Sequence, residues 1–349
     1  MTKKIIIAVI ILVIVATSGC MAKDKGRITY IDNETNEQVT IPNKNSAASY
    51  TDDKIDNDIV EEINALDKKV IDSIVGKDIE AILGMMDESL ETDQEAVLLN
   101  LNAYSDIMTV NKYDILNRYY FITRNIPESS QVVATSQNEE YDVVVDSIDG
   151  EVFVSLLSYT IGHVEQLLII EYHRKDSEWL IHNMGLYKYS YSNNNAVYHY
   201  EKAKELYDAG EYLMAYLHIY TSSDLAINLP NFRYKNIDDI ASLGQKCIVE
   251  ISQLYPLPIE FDDIEGVNVY GFTPVNDVEG MTPIFTYTTS YDIDKENFEQ
   301  ISAEAHLIHE EIMKAFPEIK ENFDEVSYVA VSNPGGVGPA HREIIEIEK

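Results

Sequence analysis

The sequence predicts an α+β protein, and three observations carry the prediction. Apolar residues recur at three- and four-residue steps between residues 56 and 108, the spacing of amphipathic helices. The period then switches to two over five segments between residues 113 and 189, the mark of half-buried strands. After residue 192 helical spacing returns, and a short mixed tail closes the chain. The expected order is helices with an antiparallel sheet, then a helical hairpin block, then a small α+β domain.

The chain starts with Met1, Lys3 and Lys4, an apolar run over 5–15, and then Thr17-Ser18-Gly19-Cys20. A charged start, a short apolar stretch and small residues before a cleavage point describe a secretory leader. The apolar run would rise only about 16 Å as a helix, roughly half the thickness of the hydrocarbon layer. Thr17 to Cys20 resembles the lipobox of bacterial lipoproteins, with Thr17 where that family most often has Leu. The resemblance implies cleavage before Cys20, a diacylglyceryl group on its thiol, and anchoring at the outer, extracytoplasmic face of the bacterial cytoplasmic membrane. Two acyl chains on one cysteine suffice for stable anchoring. Residues 1–19 are then a leader, and 20–53 a lipidated cysteine and flexible tether rich in Asn, Asp, Thr, Ser and Lys. A weak hairpin is expected within the tether, around Asn33-Glu34-Thr35-Asn36.

Residues 54–191 read as one domain. Ile59, Ile63, Leu66, Val70 and Ile74 form the stripe of a first helix ending at Gly76. Shorter helices are expected over 78–86 and 93–108, the last with Val97, Leu98, Leu101, Tyr104 and Met108 inward. Strands are expected over 113–123, 141–147, 151–161, 164–173 and 179–189, with Asp149-Gly150 as a turn signal. Helices followed by antiparallel strands, the last led by Trp179, resemble the nuclear-transport-factor-two-like fold. That family is cone-like: a curved antiparallel sheet wraps helices around a cavity that holds a ligand, carries catalysis or is filled.

Ser192-Asn193-Asn194-Asn195 marks a boundary. Within 192–255, Ala203, Leu206, Gly210, Tyr212, Ala215 and Ser222 resemble one tetratricopeptide repeat, a helix–turn–helix hairpin; His199 stands where that family often has Trp. One repeat cannot stack on copies of itself, so the hairpin must pack on a neighbouring part of the chain. A third helix is expected over 237–254. Residues 256–349 read as the small α+β domain: strands over 259–261, 267–272 and 284–289, a helix over 295–315 stopped by Pro317, and a hairpin formed by 325–332 and 343–348.

The composition bounds function. The formal net charge is −34, which disfavours nucleic acid as a partner, because phosphate binding needs Lys and Arg. It also disfavours contact with anionic lipid beyond the anchor. With Cys20 lipidated only Cys247 remains, which excludes an internal disulfide; its helical register with Ile240, Leu243 and Ile251 makes it a core thiol. Neither a serine nucleophile elbow nor a catalytic cysteine is present, so the chain reads as a non-enzymatic binding or assembly protein of the cell envelope. No cofactor is expected. Its partners are the membrane, through Cys20, and an envelope protein; the alternative is a small-molecule-binding cone, catalytic or not.

Two histidine sets are candidate sites. His306 and His309 lie three apart on a helix with Glu310 beside them, so their side chains share one surface, as a metal pair requires. Boundary histidines capping a core have the same spacing, and His341 joins them only if the terminal hairpin folds back. Glu171, His173 and His182 fall on adjacent strands, where a histidine–carboxylate pair would do acid–base work or line a pocket. The loop Gly335-Gly336-Val337-Gly338 offers backbone N–H groups to an anion but lacks the Lys-Ser/Thr of a phosphate loop. Nine of the 24 tyrosines crowd residues 187–220, which reads as an interface between parts of the chain.

Overall fold

A computed structural model of the chain describes residues 28–32, 37–41, 47–87, 94–109, 112–124, 130–146, 150–226, 231–261, 264, 266–277, 280–333 and 338–348. The expected leader over residues 1–19, Cys20, the expected turn at 33–36, Asp149 and residues 335–337 of the glycine loop lie outside the described residues. The first part runs β1 (Ile28–Asp32), β2 (Glu37–Ile41), β3 (Ala47–Thr51), α1 (Asn57–Gly76), α2 (Ile79–Leu83), α3 (Gln94–Ile107), β4 (Asp114–Thr123), β5 (Ser130–Thr135), β6 (Tyr141–Asp146), β7 (Gly150–Ile161), β8 (Val164–Lys175) and β9 (Glu178–Tyr191). There follow β10 (Asn194–Asn195), α4 (Ala196–Ala209), α5 (Tyr212–Ala226), β11 (Phe232–Tyr234) and α6 (Ile237–Leu254). The tail comprises β12 (Ile259–Glu260), β13 (Asn268–Asp277), β14 (Gly280–Thr288), α7 (Phe298–Ala315), α8 (Glu318–Asn322), β15 (Glu325–Val331) and β16 (Ala340–Glu346). The fold class is α+β, as expected.

Local chemistry sets the helix ends. The Asp56 carboxylate accepts from Asp58 N at 2.9 Å and the Asp78 carboxylate from Ala81 N at 3.0 Å, capping α1 and α2. Gly210, at φ 84°, closes α4 in the left-handed conformation that lets α5 turn back.

The main sheet, ordered β10-β9-β8-β7-β4-β3, is antiparallel throughout. Alternate residues serve two cores. Phe153, Leu157, Leu168, Ile170, Tyr172 and Ile181 pack against Ile63, Val70, Ile71 and Ile74 of α1. Their neighbours Val152, Val154, Leu156, Leu167 and Ile169 face the other core, shared with Val143, Val145 and Phe232. With both faces covered, β7 and β8 are buried along most of their length, which explains their near-continuous apolar sequence.

The second sheet, β11-β6-β5-β1-β2, lies over that second face. The hairpin α4–α5 and the helix α6 join the same core through Ala203, Leu213, Ala215, Leu217 and Cys247. The core continues into the tail sheet β12-β13-β14-β15-β16, where α7 and α8 form the crossover between the parallel strands β14 and β15. The tyrosine cluster is part of this junction: Tyr189 and Tyr191 are buried, and Tyr187, Tyr200, Tyr207, Tyr212 and Tyr216 pack against the core. Tyr198 and Tyr220 are exposed.

Several expectations need correction. Residues 47–51, read as tether, form β3 and pair with β4 from Ala47↔Thr123 to Thr51↔Tyr119; the Tyr50 ring stacks on Tyr120. The hairpin β1–β2 forms, and β1 also pairs with β5. The strands β5 and β11 were not expected. Leu98 is exposed on α3, whereas Leu101 and Met108 are buried.

Candidate functional site

The two sheets leave between them an open cleft of about 400 Å³, lined by Glu171 and His182 from the main sheet and by Asp146 and Arg233 from the second. It lies on the face away from α1. Glu171 and His173 alternate with Ile170 and Tyr172, which belong to the helix-side core, so their side chains leave by the opposite face.

An irregularity in β9 brings His182 to them. Asn183 pairs with Glu171 and Ile181 with Tyr172, so His182 has no partner of its own in the ladder. This is a β-bulge, and such an extra residue redirects a side chain. Here it sets the His182 ring on that of His173, with centroids 3.7 Å apart and planes within 11°. Nε2 of His173 lies 2.6 Å from Oε1 of Glu171, and both side chains are almost wholly buried. The other carboxylate oxygen, Oε2, accepts from Nδ2 of Asn231 at 2.8 Å.

Asn231 ties the two sheets together. Its Nδ2 also donates to the Val144 carbonyl at 2.9 Å, its Oδ1 accepts from Asn183 Nδ2 at 3.1 Å, and its own carbonyl accepts from Val144 N at 3.0 Å. It does this at φ 60°, a conformation Asn adopts more readily than most residues. Nδ1 of His182 is buried without a hydrogen-bond partner. Burial, and then the neighbouring His173, push the His182 pKa below its ordinary 6.5, while Glu171, Asp87 and Asp146 pull the other way. At neutral pH the His182 ring is therefore neutral, with a lone pair to offer.

Compared with known proteins, the chain matches no family model, no curated protein and no solved structure. Function must be argued from the side chains.

Among the described residues, Glu171, His173 and His182 are the one group of three that could share a metal ion; their donor atoms all lie within 4.8 Å of one another. His306, His309 and Glu310 do not converge in this way. Nδ1 of His309 is engaged by the Tyr328 hydroxyl at 3.1 Å, and His306 is exposed. His341 stacks on Phe298 at 4.3 Å, near the start of α7, which is about 16 Å of helix from His309. The core-capping reading describes the tail histidines better than the metal reading.

Sequence reasoning missed Asn183, Asn231 and Asp146. Asn231 comes from a polar stretch between helices, and nothing in its neighbourhood signals that it spans two sheets. It also missed Asp67, which is 1% exposed on α1. The carboxylate of Asp67 accepts from Tyr172 Oη at 2.8 Å and from Ser155 Oγ at 2.9 Å. Burial nevertheless pushes its pKa up from 3.8 to about 6. A signal for it existed: Asp67 falls four residues after Ile63 and four before Ile71, within the apolar stripe.

Proposed function

We propose that this chain is a lipoprotein, held at the outer face of the bacterial cytoplasmic membrane through Cys20, that binds a small ligand in the cleft between its two N-terminal sheets. The cleft carries this reading. A concave site with a few convergent polar groups is the usual form of a ligand site, and here the buried Glu171 and the half-buried His182 of the main sheet meet the exposed Asp146 and Arg233 of the second across about 400 Å³ of open space. The reading keeps the binding protein expected from the sequence but moves the ligand from inside the helix–sheet cone to the outer face of its sheet. The order of elements supports the cone resemblance for residues 54–191. The short apolar run before Cys20 supports a cleaved leader, and among the described residues no helix is long and apolar enough to cross a membrane.

Native mass spectrometry of the full chain, repurified in detergent after incubation with envelope extract, tests the proposal. A small mass retained by the wild type and lost in Glu171→Ala supports the cleft reading. An unadorned chain overturns it, and a co-purifying protein in its place favours assembly.

A further inference from the structure

We propose that the ligand held by Glu171, His173 and His182 is a divalent transition-metal ion of the zinc class, an inference that rests on the cleft being a ligand site. Two imidazoles and one carboxylate, with a further position open, form a donor set that suits zinc and its neighbours in the transition series. Hard cations such as magnesium prefer oxygen donors alone.

The geometry supports this in four ways. The three donor atoms already lie within 4.8 Å of one another. Tetrahedral bonds of about 2.1 Å would place them about 3.4 Å apart, a contraction that side-chain rotation supplies. The site has the supporting partner that metal ligands use: Asn231 holds Oε2 of Glu171, leaving Oε1 for the histidine side. Nδ1 of His182 is buried and unpartnered, the condition of a ring nitrogen with a donor role to fill. Glu171 and His182 both line the cleft, so the open coordination position would face space in which water or an anion can sit.

The rings also make a prediction. Lone pairs of imidazole lie in the ring plane, so two rings parallel to within 11° cannot both aim at one ion midway between them. Binding must tilt the rings apart and replace the His173–Glu171 contact. The bulge at His182 allows this, because that residue is not locked into the ladder.

The test uses the full chain in detergent, stripped with chelator and titrated with Zn²⁺ alone by calorimetry. Co²⁺ is then substituted and the visible spectrum recorded. The expected result is one ion per chain and the intense visible bands of four-coordinate cobalt. His182→Gln should weaken zinc binding by at least about 100-fold, and Asn231→Leu by about 10- to 100-fold. His309→Gln should bind as the wild type does. Circular dichroism checks that each variant is folded; if His182→Gln is not, His173→Gln takes its place. Absence of zinc binding, or binding unchanged in the folded His182 or His173 variant, overturns the inference. The cleft reading fails separately: if zinc does not bind but the wild type retains an organic mass that Glu171→Ala loses, the metal is wrong and the cleft stands.

Discussion

Replacing Asp67 by Asn should stabilise the protein at neutral pH and do almost nothing at pH 3. Asp67 lies in the core between α1 and the main sheet, where hydrogen bonds from Tyr172 and Ser155 only partly offset the loss of water around its carboxylate. Its pKa is therefore raised from 3.8 to about 6. The sign follows from linkage: the unfolded chain gives up this proton more readily than the folded one. The stability contributed by the site is fully present below pH 3.8 and is lost as pH rises through about 6. At 1.36 kcal/mol per pKa unit, the gap between 3.8 and about 6 amounts to about 3 kcal/mol at pH 7.5. Asn has nearly the shape of the neutral acid, and the Ser155 hydroxyl can turn to accept from its amide. Trp179 is the only tryptophan and packs in this same core against Tyr120 and Phe153, so its fluorescence reports the unfolding that matters. Urea unfolding of wild type and Asp67→Asn should differ by less than about 0.5 kcal/mol at pH 3 and by about 3 kcal/mol at pH 7.5, with the variant the more stable. A difference that does not change with pH, or a variant less stable at pH 7.5, would refute the reasoning.

Three further outcomes are expected. His199 and His218 meet through their Nδ1 atoms at 3.0 Å, and burial pushes their pKa values down to about 3 and about 4. Their stabilising contribution is present above 6.5 and lost as pH falls toward those values, so His199→Phe should recover about 2 kcal/mol at pH 5, read from urea midpoints at pH 5 and 7.5. The buried thiol of Cys247, pushed up to about 12, should be inert to a disulfide reagent at pH 8 in the folded chain and react fully in urea; rapid native reaction would contradict its place in the core. Cys20→Ser should abolish labelling by radioactive palmitate and release the protein from membranes, and unchanged labelling would refute the anchor.

The main sheet and the principal helices were legible in the sequence because each is rich in apolar residues and bounded by polar turns. The apolar stripe of α1 and the alternation along β4 gave their type directly, and α6 falls over the expected residues 237–254. The second sheet was legible only in part: a strand over 141–147 and a weak hairpin in the tether were expected, but β5, β11 and the joining of these strands into one sheet were not. Its β11 is the three-residue Phe232–Tyr234, and β1 and β2 lie in a stretch whose polarity reads as tether. The cleft was half legible. Glu171 and His173, two apart on one strand, share a face by simple alternation, and His182 could be placed on the neighbouring strand. That His182 and Asn183 both serve the cleft depends on a bulge, which breaks the period on which sequence reading relies. Asn231 reaches Glu171 from 60 residues away, a contact that only the packing of two sheets creates.

The most direct test of the cleft as a ligand site is the set of imidazole ¹⁵N shifts of the full chain, recorded before and after loading from envelope extract. The account predicts that the ring nitrogens of His173 and His182 move together while those of His199, His218, His306 and His309 stay in place. Unmoved shifts at His173 and His182 in a chain that has retained a ligand would contradict it.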